Sequence, residues 1–551
     1  MAGMQGSPQR PAQGWNPVTL ALLASLWLAS VANWPLWRAL LALPENGNSH
    51  GLLFAGSFAA MVGALTFMLL SLAAWRRTIK PITALFLLPA AAGAHFMGTY
   101  GVVIDPTMMT NVVQTNLTET RDLLSMRLFA SIGVIGLLPL AWLWRLPVQR
   151  LAFGSQLGRN LAAMGIGLLV LGALMFATFA DLSATMRNHK SVRYLINPLN
   201  SFYALGSLAH RANASPNRPP QAIGEDAVLA PRPPASRPPL FVLVVGETAR
   251  ANHFSLNGYG RPTNPELEAL GVVSFSDVTS CGTNTAASLP CMFTHLGRDA
   301  HEARQRDHED LLDLAQRVGL AVLWIDNQSG CKGLCDRVPT IRASEGAPPA
   351  LCTDGECLDE ALLHDLDARL ATLPAERRAR GVLLIMHQMG SHGPAYWRRS
   401  PPDLKPFQPE CETNVLQQCG REALVNTYDN SIAYTDHVLA LTIGWLQRQQ
   451  PRYDPTLLYI SDHGESLGEN GLYLHGMPYA VAPREQTHVP MVVWMPRQTQ
   501  LQAGPRLDCL ATQRDRPLSH DHLFHTVAGA LGIRAAEYRA ELDAFAPCRA
   551  P

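Results

Sequence analysis

Five long apolar stretches in the first third of the chain constrain its fold more than any other feature. An α-helix needs about 20 apolar residues to cross the roughly 30 Å of hydrocarbon in a bilayer. Backbone polar groups cannot stay unpaired in that layer, so such stretches predict membrane-spanning helices. The five stretches are Pro17–Trp37, Leu52–Trp75, Ile82–Ile104, Leu128–Trp144 and Leu161–Leu182.

Basic residues between these stretches predict the orientation of the chain. One loop carries Arg76, Arg77 and Lys80, and another carries Arg145, Arg150 and Arg159. Loops rich in Lys and Arg stay in the cytoplasm. The N-terminus is therefore predicted to be cytoplasmic, and everything after the fifth span is predicted to lie on the far side of the membrane.

All ten cysteines follow the fifth span and fall in short-range couples. Disulfides persist in oxidising compartments outside the cytoplasm, which agrees with the predicted orientation. Connectivity cannot be deduced from sequence, so pairing of nearest neighbours is a hypothesis. The alternative is a structural zinc site built from Cys331, Cys335, Cys352 and Cys357. The couples are Cys281 with Cys291, Cys331 with Cys335, Cys352 with Cys357, Cys411 with Cys419, and Cys509 with Cys548.

Composition divides the chain into three parts. Residues 1–182 form the predicted membrane domain, 183–239 a bridge, and 240–551 a polar C-terminal domain. In the bridge, Ser183–His210 has mixed character and predicts either an amphipathic helix on the membrane surface or an ordinary connecting helix. The Pro216–Pro239 run contains eight prolines and predicts an extended linker.

The C-terminal domain alternates short apolar runs with helical stretches. The runs predict buried strands over Leu240–Val245, Leu320–Ile325, Gly381–Met386, Leu457–Ile460 and Val489–Met495. Helices are predicted over Glu309–Val318, Leu358–Leu373 and Asn426–Arg448. This alternation predicts an α/β fold with a mainly parallel sheet and helices on both faces. An active site is then expected beyond the carboxyl ends of the strands.

Two predicted strands are followed at once by residues of metal-ligand type. Glu247 follows the first strand, and Asp462 with His463 follows the fourth. Carboxylate oxygen and imidazole nitrogen suit zinc, and three protein ligands with an open position suit catalysis. Either feature alone is typical of a solvated loop, but together in one α/β domain they favour a metal site.

A small, polar segment between Cys281 and Cys291 offers hydroxyl groups at a predicted helix start. Backbone N–H groups at such a position point toward an incoming phosphate. A threonine hydroxyl is a poor nucleophile unless a metal or a base activates it. The alternative is a threonine that only caps the helix.

Several motifs closely resemble those of the bacterial lipid A phosphoethanolamine transferases, a family that includes the mobile colistin-resistance enzymes. That family belongs to the alkaline phosphatase and sulfatase superfamily, which implies the same α/β fold. The resemblance covers both predicted domains in order. It rests on Gly246-Glu247-Thr248-Ala249-Arg250, Cys281-Gly282-Thr283-Asn284-Thr285-Ala286, Cys291-Met292-Phe293, Gly390-Ser391-His392-Gly393-Pro394 and Ser461-Asp462-His463-Gly464-Glu465.

The resemblance implies a role for individual residues. Thr285 matches the nucleophile that becomes phosphoethanolaminated, and Thr285 with Glu247, Asp462 and His463 matches the zinc ligands. His392 and His475 match phosphate-facing or second-metal residues, and either is a candidate acid. Substrate-binding positions are matched by Ser329 and Lys332 and, between the third and fourth spans, by Asn111, Thr115 and Glu119. The i, i+4, i+8 spacing of the last three predicts one helical face.

The implied activity is transfer of phosphoethanolamine from phosphatidylethanolamine to a lipid A phosphate, with a phosphoethanolaminyl-threonine intermediate. One firmly bound Zn²⁺ is implied, and a second ion during turnover stays open. The implied location is the bacterial inner membrane with the catalytic domain in the periplasm, as a monomer among membrane lipids. Lys and Arg number 44 and Asp and Glu number 44, so no nucleic-acid partner is indicated. Polymyxin resistance is the expected phenotype.

Three alternatives remain at this point. The first is a membrane-bound hydrolase of the same superfamily, a phosphodiesterase or sulfatase that releases its group to water. The second is a transferase that modifies a Kdo or heptose position of lipopolysaccharide. The third is a membrane-anchored binding or assembly protein without catalysis.

Overall fold

The structure is a computed structural model that describes residues 14–115, 117–214, 219–232, 236–353, 355–502 and 504–549. Its contacts divide the chain into two compact units. The membrane unit comprises Met1–Met109 and Leu124–Ala209, and the catalytic unit comprises Thr110–Leu123 and His210–Pro551. The Thr110–Leu123 segment therefore packs with the catalytic unit, although in sequence it lies within the predicted membrane domain.

Five helices of the membrane unit are long and apolar enough to cross a bilayer among the described residues, as predicted. The fifth begins eight residues before the predicted stretch, because the helix continues past the apolar window and includes Arg159. Their bounds are Pro17–Leu41, Ser49–Leu72, Ile79–Tyr100, Met126–Arg145 and Phe153–Ala177.

The predicted bridge contains three helices and a short strand. The helices are Phe179–Asn188, Lys190–Tyr194 and Leu199–Ala214. Within the proline-rich run, Val228–Leu229 pairs antiparallel with Ile533–Arg534. Part of the predicted linker is therefore attached to the edge of the catalytic unit, while residues 215–218 and 233–235 lie outside the described residues.

A central sheet organises the catalytic unit, with eight strands among the described residues. The spatial order is β8-β2-β7-β6-β1-β5-β3-β4. Every strand runs parallel except β7, which is antiparallel to both neighbours. In chain order the strands are β1 Pro239–Gly246, β2 Val273–Thr279, β3 Ala321–Asp326, β4 Thr340–Arg342, β5 Val382–His387, β6 Asp454–Ser461, β7 His488–Trp494 and β8 Leu518–Ser519.

The central strands are buried along their whole length, which explains their continuous apolar sequences. All residues of β1, β5 and β6 are buried. Strands covered by helices on both faces need apolar side chains at every position. The mainly parallel α/β prediction is confirmed, with β7 as the antiparallel exception.

Helices surround this sheet, and the longest is Arg421–Gln449. The predicted Leu358–Leu373 helix is wrong, since the structure has a 3-10 turn at Asp359–Leu363 and a short helix at Leu366–Ala371. Asp359 is buried and accepts hydrogen bonds from Asn327 Nδ2 and two backbone N–H groups, which hold the turn away from a regular helix. The other helices are Pro265–Ala269, Thr285–Met292, Arg298–Ala303, Leu311–Arg317, Ala375–Arg378, Arg484–Thr487, Arg497–Gln502, Leu507–Thr512 and Leu523–Ala530.

All ten cysteines form disulfides between nearest neighbours in the sequence, as predicted. The alternative of a four-cysteine zinc site is wrong, because the couples Cys331–Cys335 and Cys352–Cys357 are each closed by a disulfide. Four of the five bridges span ten residues or fewer. They therefore fix local loops around the sheet more than they connect distant parts of the chain.

Candidate active site

The carboxyl ends of four adjacent parallel strands, in the order β6-β1-β5-β3, supply most of the predicted site residues. Glu247 follows β1, and Asp462 with His463 follows β6. His392 follows β5, and the loop after β3 carries Ser329. The strand order therefore brings together residues that are more than 200 positions apart in sequence.

Thr285 stands at the first position of the Thr285–Met292 helix, with its hydroxyl facing Glu247. The helix is capped by Asn284, whose side chain accepts a hydrogen bond from Ala287 N at 3.0 Å. Thr285 Oγ1 is thus free of the capping role and donates to Glu247 Oε2 at 3.0 Å. The Cys281–Cys291 disulfide brackets this turn. Asn284, and not Thr285, therefore caps this helix. The alternative in which Thr285 only caps the helix is wrong, because its hydroxyl faces Glu247.

Glu247 and Asp462 each use one carboxylate oxygen inside the protein and leave the other without a hydrogen bond. Glu247 Oε2 accepts from Thr285 and from Gln328 Nε2, the latter at 2.8 Å. Asp462 Oδ1 accepts from the backbone N–H groups of His463 and Thr248. Glu247 Oε1 and Asp462 Oδ2 are buried without a hydrogen-bond partner in the described part of the chain.

These free oxygens converge on His463, which completes a set of metal ligands. His463 Nε2 lies 3.2 Å from Glu247 Oε1, 3.4 Å from Asp462 Oδ2 and 3.5 Å from Thr285 Oγ1. Its Nδ1 is paired with the Gly464 carbonyl at 2.9 Å, which directs Nε2 toward the carboxylates. Two carboxylates, one imidazole and a hydroxyl at this spacing fit a zinc ion.

The pKa values of this cluster reflect buried negative charge that needs a cation. Burial opposes protonation of His463, but Asp462 and Glu247 raise its pKa to about 10. Burial and the charge of Glu247 raise the pKa of Asp462 to about 6. Burial opposes ionisation of Glu247 as well, yet the nearby positive charge of His463 holds its pKa below the usual value. A proton on His463 therefore occupies the place that a metal cation would take.

His475 and His392 lie beside the cluster but differ in environment. His475 Nδ1 is paired with Glu465 Oε2 at 2.8 Å, and Tyr396 donates to the other oxygen of Glu465. The His475 ring lies 4.4 Å from that of His463 and 5.7 Å from that of His392, measured between centroids. Burial lowers the pKa of His392 to about 3, so His392 is neutral at neutral pH.

His463, Glu465 and His475 form a second group with metal-ligand spacing. Both oxygens of Glu465 are already engaged, by Tyr396 and by His475. The Glu247 cluster has two buried oxygens still free. The Glu247, Asp462 and His463 group is for this reason the better candidate for a firmly bound ion.

Glu119, Ser329 and Lys332 lie together next to the cluster. Lys332 Nζ donates to Ser329 Oγ at 2.8 Å, and Glu119 is hydrogen-bonded to Ser329. Burial raises the pKa of Glu119, while Ser329 and the charge of Lys332 act in the opposite direction. The predicted substrate residues of two distant segments therefore share one location.

The predicted single face of Asn111, Thr115 and Glu119 is interrupted. Helices cover Pro106–Gln114 and Leu117–Leu123, with Thr115 between them. Thr115 Oγ1 donates to the Asn111 carbonyl at 2.8 Å. Asn111 and Glu119 therefore lie on two different helices, and their spacing in sequence does not place them on one helical face.

Several residues that support the site had no assigned role in the sequence. Gln328 donates to Glu247, and Glu465 is paired with His475. Glu465 lies inside a motif quoted above, and Gln328 directly precedes the matched Ser329. His387 is buried and its Nδ1 lies 2.8 Å from Asp326 Oδ1. His520 Nδ1 accepts a hydrogen bond from Cys281 N, and its Nε2 lies 3.0 Å from the Ser461 carbonyl. His520 therefore links the segment that precedes Thr285 to the end of β6. Such histidines carry no local signal, because their partners are distant in sequence.

Backbone strain adjoins the candidate metal ligands. Thr248 has a φ of 53°, the left-handed region that a β-branched residue rarely adopts. Its N–H donates to Asp462 and its carbonyl accepts from Tyr428. These bonds fix the turn that directs Glu247 toward Thr285, and they stabilise a conformation that costs about 1–3 kcal/mol in isolation.

Two family models match the two parts of the chain. Residues 239–533 match the sulfatase family, which agrees with the sheet and its site. Residues 62–212 match the phosphoethanolamine transferase EptA/EptB family. The first model covers more than half of the chain, and the second covers most of its membrane helices.

Relatives and solved structures match nearly the whole chain. It is 37% identical to phosphoethanolamine transferase EptA of Escherichia coli K12 over 97% of each chain, and 36% identical to phosphatidylethanolamine transferase Mcr-1 of E. coli over 94% of this chain and 96% of that one. The integral membrane protein lipooligosaccharide phosphoethanolamine transferase A of Neisseria meningitidis has a TM-score of 0.92 and 34% identity, covering 98% of this chain and 100% of that one. The C-terminal periplasmic domain of EptC from Campylobacter jejuni covers 60% of this chain and 98% of that domain, with a TM-score of 0.52 and 38% identity. This chain therefore belongs to the EptA and Mcr family of phosphoethanolamine transferases and is a multi-pass membrane protein with a periplasmic catalytic domain.

Proposed function

We propose that the chain transfers phosphoethanolamine from phosphatidylethanolamine to a lipid A phosphate, with zinc bound by Glu247, Asp462, His463 and Thr285. One observation carries this proposal. The Thr285 hydroxyl donates to the buried Glu247 carboxylate, and Glu247 and Asp462 each have one buried oxygen without a hydrogen-bond partner in the described chain. A hydroxyl in such a place is poised for metal-assisted nucleophilic attack rather than for structural hydrogen bonding.

Zinc, when bound, would act as a Lewis acid that favours the alkoxide form of Thr285. The protein supplies the rest of the activation. Glu247 Oε2 accepts the Thr285 proton through the existing hydrogen bond. Gln328 fixes that oxygen from the other side, so the carboxylate keeps its orientation when the hydroxyl reacts.

In the first half-reaction Thr285 Oγ1 attacks the phosphorus of phosphatidylethanolamine, and the bond from phosphorus to the diacylglycerol oxygen breaks. Diacylglycerol leaves with one proton, which balances the proton lost by Thr285. His475 is the better proton donor of the two candidates, because it is paired with Glu465 while burial keeps His392 neutral. Neutral His392 is suited to donate a hydrogen bond to a phosphoryl oxygen.

In the second half-reaction an oxygen of a lipid A phosphate attacks the same phosphorus, and the bond to Thr285 Oγ1 breaks. Thr285 takes back the proton that Glu247 accepted, and His475 regains its proton from solvent. The acceptor is already an anion and needs no strong base. Its charge must be neutralised as it approaches, and the Lys332 ammonium lies beside Ser329 at this location. Glu119 is suited to pair with the ammonium of the donor head group. The neisserial relative acts by its name on lipooligosaccharide, which supports a lipid acceptor of this class.

Mass spectrometry of lipid A from a susceptible Gram-negative host that expresses this chain tests the proposal. We expect lipid A that carries added phosphoethanolamine and a higher inhibitory concentration of polymyxin, since the added ammonium offsets a phosphate charge. The Glu247→Ala and Thr285→Ala variants should give neither change. A truncated chain that begins at Leu240 should also fail, because it lacks the membrane helices.

The same experiment separates the alternatives. Phosphoethanolamine found on Kdo or heptose, with unmodified lipid A phosphates, would replace the proposed acceptor. Free phosphoethanolamine released from the donor without any modified acceptor would indicate a hydrolase. Unchanged lipid in cells with well-expressed full-length protein would contradict the proposal as a whole.

A further inference from the structure

Arg399 is a buried arginine outside the candidate metal site whose three guanidinium nitrogens each have a different partner. Its side chain is only 3% exposed. Nη2 donates to Asp122 at 3.0 Å, Nη1 to Glu356 at 2.9 Å, and Nε to the His392 carbonyl at 2.8 Å. A planar guanidinium can reach three acceptors at once, and a lysine ammonium in the same place cannot reproduce that geometry.

The first partner belongs to the segment that joins the third and fourth membrane helices in sequence. Asp122 is buried, and the Asn414 side chain donates to its carbonyl at 2.8 Å. Arg398 adds a weaker contact to the Asp122 carboxylate at 3.5 Å. The catalytic unit thus holds the Leu117–Leu123 helix by both the side chain and the backbone of one residue.

Glu119 lies three residues before Asp122 on this helix. Residues three apart share a helix face, so fixing Asp122 also fixes Glu119. Glu119 meets Ser329 and the charge of Lys332 at the candidate active site. One face of a short helix is therefore held at two points, by Arg399 at one end and by the loop after β3 at the other.

The other two partners connect the same arginine to the loop of His392 and to a hairpin closed by a disulfide. The His392 carbonyl belongs to a loop in which Ser391 N also donates to the Glu247 carbonyl. Glu356 belongs to the hairpin closed by Cys352–Cys357. The position of Glu119 and the position of the His392 loop are consequently set by one side chain.

We propose that Arg399 is a positioning residue for donor recognition: its link between Asp122 and the His392 carbonyl sets the distance from the Glu119 carboxylate to the phosphorus attacked by Thr285. This inference rests on the proposed function, in which Glu119 binds the donor ammonium. A buried charge cluster of this kind adds little net stability compared with apolar packing. Its advantage is a fixed geometry, which matters where a head group must be held at both its ammonium and its phosphate.

The test uses full-length enzyme in detergent with phosphatidylethanolamine and its N-monomethyl and N,N-dimethyl derivatives as donors. Variants Arg399→Lys, Arg399→Gln and Asp122→Asn are compared with Glu119→Gln. Arg484→Gln, which breaks an exposed ion pair with Asp277, is the matched control. Bound zinc and thermal unfolding are measured for each, so that a variant with a damaged fold or metal site is recognised.

We expect Arg399→Gln and Asp122→Asn to raise KM for phosphatidylethanolamine about tenfold, with kcat changed much less and zinc retained. Discrimination between phosphatidylethanolamine and its methylated forms should fall toward that of Glu119→Gln. The Glu119→Gln, Arg399→Gln double variant should be no worse than the worse single variant, because both changes remove the same contact. Arg399→Lys should be intermediate, and Arg484→Gln should match the parent enzyme.

Equal losses for all donors, with unchanged discrimination, would overturn the positioning role and leave Arg399 as a structural residue. So would additive effects in the double variant. If Arg399→Gln does not fold, Asp122→Asn decides by the same two measurements. A Glu119→Gln enzyme with unaltered KM and discrimination would instead contradict donor binding in the proposed function, which separates that failure from failure of the inference.

Discussion

Two buried charged clusters in the catalytic unit differ in the cation that each contains. Around Arg399, one oxygen each of Asp122, Glu356 and the His392 carbonyl accepts from a guanidinium N–H group, and Glu356 Oε1 is buried without a hydrogen-bond partner in the described chain. Around Thr285, Glu247 and Asp462 each keep one buried oxygen without a hydrogen bond in the described chain. Arg399, Asp122, Glu247 and Asp462 are all buried, so the contrast is not one between a buried and an exposed cluster.

The Arg399 cluster contains a permanent positive charge, whereas the Glu247 cluster contains a proton that can be exchanged. Burial of a carboxylate costs several kcal/mol unless a cation or donors compensate for it. The Arg399 cluster compensates with protein groups alone. In the Glu247 cluster the raised pKa of His463 keeps a proton on its ring beside two carboxylates, and a zinc ion can replace that proton. The predictions below test this contrast.

The largest effect is expected from the nucleophile. Thr285→Ala should lower the transfer rate by about 10⁴-fold or more, because covalent catalysis has no substitute hydroxyl at this position. Thr285→Ser should retain part of the activity. Transfer of a fluorescent phosphatidylethanolamine head group, measured beside the thermal unfolding of each variant, gives the result. A folded Thr285→Ala enzyme with substantial activity would mean that the covalent step is wrong.

Matched variants of the two clusters sharpen the comparison. Glu247→Gln should weaken zinc binding by more than about 100-fold, without destabilising the metal-free protein, because it removes one of two facing carboxylates. Glu356→Gln should keep zinc and lower the thermal stability, because the Arg399 charge loses a partner. Metal titration and calorimetric unfolding separate the two effects. The contrast fails if both variants lose zinc, or if both lose only stability.

The central strands and the placement of the candidate metal ligands at their ends could be predicted from sequence because their signals are local. β1 and β6 are continuous apolar runs, and their ligands follow directly along the chain. The antiparallel direction of β7 has no such signal, because an apolar run does not indicate whether its strand is parallel or antiparallel to its neighbours. β2 was missed because Ser274 and Ser276 alternate with apolar residues and weaken the run.

The supporting contacts could not be predicted, because each depends on the folded topology. Asp122 and Arg399 are 277 residues apart, and Gln328 and Glu247 are 81 apart. No periodicity or spacing connects such pairs.

Zinc binding should strengthen with pH. Because the pKa of His463 is raised to about 10, zinc must displace its proton at any lower pH. Affinity should therefore rise about tenfold per pH unit from 7 to 9. Below about pH 6 the dependence should steepen, because the raised pKa of Asp462 adds a second proton. Competition with a chelator of known pH dependence measures the slope, and a flat profile between pH 7 and 9 would contradict the proton-for-metal exchange.

The smallest effect is expected from Gln328, which orients Glu247 without binding the metal in the proposed arrangement. Gln328→Met keeps the approximate volume and removes one hydrogen bond, worth about 1 kcal/mol, so kcat/KM should fall about fivefold. Gln316→Met is a suitable control, since that amide bonds an exposed loop carbonyl. Equal activity of the two variants would mean that Glu247 needs no such support.

The central claim is that Thr285 carries the phosphoethanolamine group between donor and acceptor. Full-length enzyme incubated with phosphatidylethanolamine in the absence of lipid A, then digested and examined by peptide mass spectrometry, tests it most directly. The account predicts one added phosphoethanolamine group on Thr285, lost again when lipid A is supplied, and no such adduct in Glu247→Gln. An active enzyme whose Thr285 peptide stays unmodified under these conditions, or an adduct on a different residue, would contradict it.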